Sequence, residues 1–228
     1  MEESEFGPKP EGWEVKTLQD VCDLINYGYT ASSKQDPVGP KFLRITDIVL
    51  YMINWDTVPY CEIPKKNFEK YTLEEGDIVI ARTGATTGYA KRLNKRHPKS
   101  VFASYLVRIR VNKDYDNYYI GLIVESDDYK RFIKSNIGGA AQPNANAKVL
   151  SSFPILIPPT NIQQSFKDIV RDIFDQREIL QEANLVLRRT RDILLPKLIS
   201  GRIDVDDLEL NSAEIRELTW QFDGHYGR

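Results

Sequence analysis

Side chains able to read base edges and hold phosphates gather in three polar loops of this sequence. The loops run from Tyr27 to Lys34, from Arg82 to Lys91 and from Gln142 to Lys148. Arg, Lys, Asn and Gln present paired donors and acceptors to base edges, and Thr hydroxyls and backbone N–H groups hold phosphates. The candidate contacts are Tyr27, Tyr29 and Lys34 in the first loop. Arg82, Thr83, Thr86, Thr87, Tyr89, Lys91 and the adjoining Arg92 supply the second, and Gln142, Asn144, Asn146 and Lys148 the third; Arg44 lies on the chain between them. The plain alternative for each loop is a solvated connection. Catalytic patterns are missing by contrast: no G-x-S-x-G, no H-E-x-x-H and no Rossmann glycine fingerprint occurs. Gly84 and Gly88 have the air of a phosphate cradle without its Gly-Lys-Ser/Thr ending, and Glu14-Val-Lys16 spells half a nuclease motif without an acidic partner. The one Pro-Pro pair, Pro158-Pro159, follows Ile157 rather than the Asn or Asp of an amino-methyltransferase.

Charge is distributed unevenly. The net charge of the 228 residues is only −2, yet Arg82 to Lys113 holds nine Lys or Arg residues and no Asp or Glu. Such a block reads as a local footprint for polyanions, a solvated hairpin being the bland alternative. The tail after Gly201 is acidic. Two distant cysteines, Cys22 and Cys61, and two histidines, His97 and His225, supply no clustered metal ligands, so a metal site is not expected and both thiols read as reduced core residues. No apolar run of membrane-spanning length and no signal-peptide pattern appears, which makes a cytoplasmic protein without membrane contact the expectation.

Behind the loops stands one long element. From Ile162 to Leu194 apolar or small residues recur in steps of four and three: Phe166, Ile173, Leu180, Leu187 and Leu194 at one position, Ile162, Ile169, Gln176, Ala183 and Thr190 at the other. This is a heptad seam flanked by mixed charge, and it needs a partner. Gln163, three residues after Thr160, predicts a capping box at the helix start; Pro196 predicts an end or kink, and Gly201 a cap. A helix lying on its own domain normally shows a broader, less regular stripe.

The residues before it read as a mixed, strand-rich domain. Leu18, Val21 and Leu24 have helical spacing; Lys41–Thr46 reads as a strand that Asp47 to Val49 continue; Ile78–Ala81 is a short buried strand. Val101 to Val111 alternates as one strand, whose Arg108 and Arg110 face either DNA or solvent. Asn117–Glu125 and Asp127–Ile137 read as helices, and Val149–Pro158 as a final strand.

Several of these segments together resemble a known family. Gly12 to Val21, Phe42-Leu-Arg-Ile-Thr-Asp-Ile48, Gly76 to Gly88, Ala141-Gln-Pro-Asn144, Phe153 to Pro159 and Leu194 to Ile203 resemble a target-recognition domain of type I restriction-modification specificity subunits, over roughly residues 12 to 206. The resemblance implies an α+β fold, a mixed α/β recognition domain followed by a long coiled-coil helix. The expected layout is a lead-in over 1–11, the recognition domain over 12–158, a spacer and dimerisation helix over 159–200 and an acidic tail over 201–228. With one domain and one helix the sequence looks like a half-size specificity subunit. It implies a non-catalytic reader of double-stranded DNA that pairs with a second copy of itself through the seam. Modification methyltransferase subunits, which bring S-adenosylmethionine, and a restriction/translocase subunit would join it; this chain itself would carry no cofactor. The alternatives are a specificity module of a fused restriction enzyme-methyltransferase and a coiled-coil assembly protein that does not touch DNA.

Overall fold

The computed structural model describes residues 9–137 and 143–203. Gln142 and the acidic tail from Asp204 onward lie outside the described residues. The chain divides into two units, one ending at Glu178 and one beginning at Ile179.

In the first unit β1 (Glu14–Thr17) leads through a 3-10 turn (Leu18–Val21) into β2 (Cys22–Tyr27). Then come β3 (Lys41–Leu43), α1 (Ile45–Ile48), α2 (Lys65–Tyr71), β4 (Ile78–Ala81) and β5 (Ala90–Arg92). They are followed by β6 (Ser100–Phe102), β7 (Leu106–Val111), α3 (Asn117–Glu125), α4 (Asp127–Asn136), α5 (Ala147–Ser151) and β8 (Pro154–Ile157). The main sheet is antiparallel in the order β2-β7-β4-β5; β1 pairs antiparallel with β8, and β3 pairs parallel with β6.

Strand β4 explains the layering. All four of its residues are buried, because a strand covered on both faces can be apolar at every position. Ile78 and Ile80 face one core with Val107, Ile109, Ile120, Val124 and Tyr129, so α3 and α4 cover that side. Val79 and Ala81 face a second core with Leu43, Ile48, Phe102 and Leu106. The period-two alternation of the strand thus joins two hydrophobic layers.

Four expectations are corrected here. Val101 to Val111 is two strands: Leu106 N–H donates to the Ala103 carbonyl at 2.8 Å, and this turn hands the chain from the β3-β6 pair to the main sheet. Apolar alternation runs unbroken through the turn, so periodicity could not show it. Asp47 does not continue β3; its carboxylate accepts from Arg44 N–H at 2.8 Å and starts α1. Val149 does not begin a strand, since the Asn146 side chain accepts from Val149 N–H at 2.9 Å and caps α5. The stretch around Leu18 and Val21 is helical for one turn, but Leu24 already lies in β2.

Helix α6 (Thr160–Ile199) runs through both units. Its capping box does not form as expected: Gln163 is buried, its Nε2 donates to the Pro158 carbonyl at 2.9 Å and its Oε1 accepts from Asp116 N–H at 3.0 Å. Gln163 therefore seats the helix on the domain rather than closing its own first turn. Phe166 meets Tyr119 and Phe174 meets Tyr118 edge to face, with centroids 5.7 and 5.2 Å apart. Pro196 lies inside the helix and does not end it. A proline this close to the end removes a single hydrogen bond, and termination falls to Gly201, whose φ of +67° lets Arg202 N–H reach the Lys197 carbonyl at 2.9 Å. Among the described residues no helix is long and apolar enough to cross a membrane.

Candidate nucleic-acid interface

Three chain segments meet at Arg82. Its guanidinium carbon lies 4.7 Å from the centre of the Tyr27 ring, Nη2 donates to Asn144 Oδ1 at 3.1 Å and Nε to the Ala145 carbonyl at 3.5 Å. The backbones are zipped as well. Ala145 N–H donates to the Arg82 carbonyl at 2.8 Å and Gly84 N–H to the Pro143 carbonyl at 3.0 Å, with Thr83 and Asn144 forming an isolated antiparallel bridge. Tyr27 closes the ring of contacts by accepting, at its hydroxyl, the Ala147 N–H at 2.9 Å. One member from each predicted loop is thereby fixed against the others, while Asn144, Asn146 and Lys148 stay exposed.

Local sequence explains the fixation. Gly28 follows Tyr27 where a Cβ would lie 2.2 Å from the Ala103 carbonyl oxygen, so only glycine lets β2 run this close to the β6–β7 turn. Gly88 has φ +89°, and its N–H returns to the Ala81 carbonyl at 2.9 Å, which closes the Arg82 loop on the strand that launched it.

The other candidates have different surroundings. Thr87 is buried and donates to the Gly84 carbonyl at 2.7 Å, so its hydroxyl shapes the loop instead of facing outward. Thr86 offers its carbonyl to Tyr89 N–H at 2.9 Å, and the Tyr89 ring carries Lys130 Nζ at 5.0 Å. Lys91 pairs with Glu125 at 3.3 Å. Arg92 lies 3.8 Å from the Tyr118 ring centre and donates to Asn117 Oδ1 at 3.2 Å, a packing role beside β5. Arg44 grips Asp47 through Nε and Nη2 at 3.1 and 2.9 Å. Lys34 pairs with Glu62 at 2.6 Å; Tyr29 packs 5.2 Å from Tyr71, and its carbonyl accepts Ser104 N–H at 2.9 Å, next to the Tyr105 whose carbonyl Arg82 N–H meets. Gln142 lies outside the described residues.

Part of the acid-free block is paired with carboxylates from elsewhere in the chain: Lys91, Lys95, Arg108 and Arg110 each meet one. Arg108 is 2% exposed and donates to Asn26 Oδ1 at 3.0 Å and to the Thr72 and Lys70 carbonyls at 2.5 and 2.9 Å. Arg110 grips buried Asp77 at 2.7 and 2.9 Å and reaches Glu74 at 3.0 Å. Burial pulls the Arg108 pKa down, whereas the Asp77 hydrogen bonds push that of Arg110 up. Lys95 pairs with Asp175 at 2.8 Å. Neither solvent nor DNA is what Arg108 faces.

Sequence reasoning missed Tyr105. It is 60% exposed in the β6–β7 turn, and its carbonyl accepts Arg82 N–H at 3.0 Å, which puts an open aromatic residue directly beside the cluster. The cue was present as Ser104-Tyr105, hidden inside an alternation that read as strand. Among the described residues no group of His, Cys, Asp and Glu could hold a metal ion. The cysteines are free; burial pushes the Cys22 and Cys61 thiols up to about 12 and about 11.

Residues 10–189 match the family described as the type I restriction modification DNA specificity domain. Among curated relatives, the type I restriction enzyme MjaVIII specificity subunit of Methanocaldococcus jannaschii is 24% identical over 215 residues, which cover 91% of this chain and 50% of that protein. The HindI specificity subunit of Haemophilus influenzae is 23% identical over 198 residues, 85% of this chain and 42% of that one. The chain spans about half the length of the curated relatives it matches. In fold it is similar to the S subunit from M. genitalium, with a TM-score of 0.57 and 16% identity over 86% of this chain and 46% of that one. The HsdS subunit from Thermoanaerobacter tengcongensis gives 0.54 and 19%, over 88% and 48%.

Proposed function

The chain belongs to the type I restriction modification DNA specificity family, and from that premise we propose that it is the DNA-reading part of a type I restriction-modification complex. The observation that carries this reading is the convergence of Tyr27, Arg82 and Asn144 from three separate loops on one patch. Arg and Asn are the side chains suited to bidentate contacts with guanine and adenine, and Lys148 and Asn146 extend the patch toward phosphates. The chain performs no catalysis in this reading. S-adenosylmethionine enters with a modification methyltransferase subunit, and a restriction/translocase subunit completes the complex.

Helix α6 supplies the second half of the proposal. Ile169, Ile173, Leu180 and Leu187 are 66, 58, 64 and 65% exposed, a row of apolar residues at heptad spacing that water disfavours. Val186 and Ile193, at 57 and 52%, widen the row beyond the seam read from sequence. A second copy laid antiparallel would cover it and carry an identical reader of a second half-site, so the pair would recognise an interrupted palindrome. Methyltransferase subunits would dock along the same helices.

Mapping modified bases in host DNA with and without the gene tests both parts. Loss of one palindromic, interrupted methylation motif on deletion is the expected result. An asymmetric motif would replace the second copy by a different half-reader, and no change in any motif, combined with no DNA binding by the reconstituted complex, would sink the reading. Leu180→Asp with Leu187→Asp is expected to turn a dimer into a monomer in light scattering; an unchanged mass would remove the seam from the interface.

A further inference from the structure

Away from the Arg82 patch, in the part of the first unit built on β3, β6 and α2, a cleft of about 720 Å³ opens between Lys41, Tyr60, Lys65, Phe68, Glu69 and Lys99. Its size is that of a site for a small organic ligand. Three ammonium groups, those of Lys41, Lys65 and Lys99, line it against a single carboxylate, that of Glu69. Among the described residues, Lys65 and Lys99 take part in no ion pair, and Lys41 Nζ donates only to the Val58 and Asp56 carbonyls, at 2.7 and 3.5 Å. Lys34, Lys91, Lys95, Arg44 and Arg110, by contrast, each hold a carboxylate.

Two of the three charges are also held in place. Lys41 Nζ lies 4.1 Å from the Tyr60 ring centre and Lys99 Nζ 4.6 Å from that of Phe68. A cation against an aromatic face is oriented but keeps donors free for an anion. Lys41 opens β3 and Lys99 immediately precedes β6; Lys41 N–H donates to the Lys99 carbonyl at 3.1 Å, so the parallel pair fixes the spacing of the two stems. Gly39, Pro40, Ile63 and Pro98 complete the wall.

We propose that this cleft binds a phosphorylated nucleotide unit, its phosphate on Lys65 and Lys99 and its sugar and base against Tyr60 and Phe68. A phosphate, doubly charged on a free monophosphate and singly charged in a strand, suits several point-charge ammonium donors, and a base suits a wall that includes Tyr60, Ile63 and Phe68. Such a unit comes either as a free nucleotide or as part of a DNA strand; the second source rests on the DNA reading above, the first does not.

The test uses the full chain and the variant Lys65→Gln with Lys99→Gln, which keeps a polar, hydrogen-bonding side chain at each position and removes both charges. AMP and inorganic phosphate are titrated by calorimetry and by NMR shifts of Tyr60 and Phe68. Saturable AMP binding by the native chain that falls at least tenfold in the variant establishes a free-nucleotide site. If AMP does not bind, the salt dependence of duplex binding decides: a log–log slope smaller by about one to two in the variant, with the same loss for every sequence, assigns the cleft to a strand phosphate. No AMP binding together with an unchanged slope overturns the proposal. Failure of the DNA reading itself looks different, because then the native chain shows no sequence preference that Arg82→Ala can remove. Unfolding of the variant is excluded by its thermal melt, and Lys99→Gln alone gives the same readouts at smaller amplitude.

Discussion

Arg82 and Arg108 belong to the same acid-free stretch of sequence and end in opposite circumstances. Arg108 is enclosed, with its donors on Asn26, Thr72 and Lys70 and its charge beside Asp77. Arg82 is half-buried and holds an aromatic face, an amide oxygen and a backbone carbonyl, with no carboxylate partner among the described residues. Charge counted along the chain treats the two alike; charge counted in space separates a structural cation from one whose field remains available to an anion. Lacking acids nearby in sequence, the block recruits Asp77, Glu74, Glu125 and Asp175 from other elements.

Substitutions sharpen that contrast. Arg108→Ala leaves Asp77 without one of its two cations in a buried setting and strips donors from two carbonyls, so a loss of about 3–5 kcal/mol of stability is expected in urea unfolding. A loss below 1 kcal/mol would show that Arg110 alone satisfies Asp77. Arg82→Ala is expected to change stability by under ~1 kcal/mol but to reduce discrimination among single-base variants of the DNA site by about 1–3 kcal/mol, read by competition binding. Equal losses for all variants would make Arg82 a phosphate contact.

A third arginine of the block, Arg92, sits between the extremes and is tested through Glu178. That carboxyl is 5% exposed, its Oε2 has no hydrogen-bond partner, and burial raises its pKa while Arg92 opposes the rise. A carboxyl with a raised folded pKa lowers stability once pH climbs above its unfolded value of 4.5, because only the unfolded chain ionises it freely. Glu178→Gln should therefore match the native chain in thermal melts below that pH and exceed it at pH 8, by about 1 kcal/mol. A variant less stable at pH 8 would mean that the Arg92 attraction prevails. Smallest of all, Tyr27→Phe removes the bond to Ala147 N–H and should cost about 0.5–1 kcal/mol, seen as faster amide exchange at the start of α5.

What the sequence disclosed depended on the range of the interaction. The buried strand Ile78–Ala81, the helices Asn117–Glu125 and Asp127–Asn136 and the long helix were legible because periodicity and capping residues are local. The break at Ala103–Tyr105 was not, since the apolar alternation on either side belongs to two different sheets. Likewise the three loops could be named from their side chains, but which of those side chains meet depends on partners tens of residues away. Thr87 and Arg92 have the composition of a contact and the packing of a core. Gln163 was right in position and wrong in partner, as its amide bridges Pro158 and Asp116 instead of its own helix.

The closure of the Arg82 loop separates, within one short segment, residues that hold the fold from residues that face outward. Both ends of the segment are clamped by Ala81, whose N–H donates to the Tyr89 carbonyl at 2.8 Å and whose carbonyl accepts from Gly88 N–H. Between the clamps Gly84, Thr87 and Gly88 serve the loop's own bonds and the 143–145 segment, whereas Ala85 is exposed, and the β4–β5 ladder ends where the loop begins. Under the proposed DNA reading, a new target would arise by substitution at the outward positions, leaving the two hydrophobic layers joined by β4 as they are.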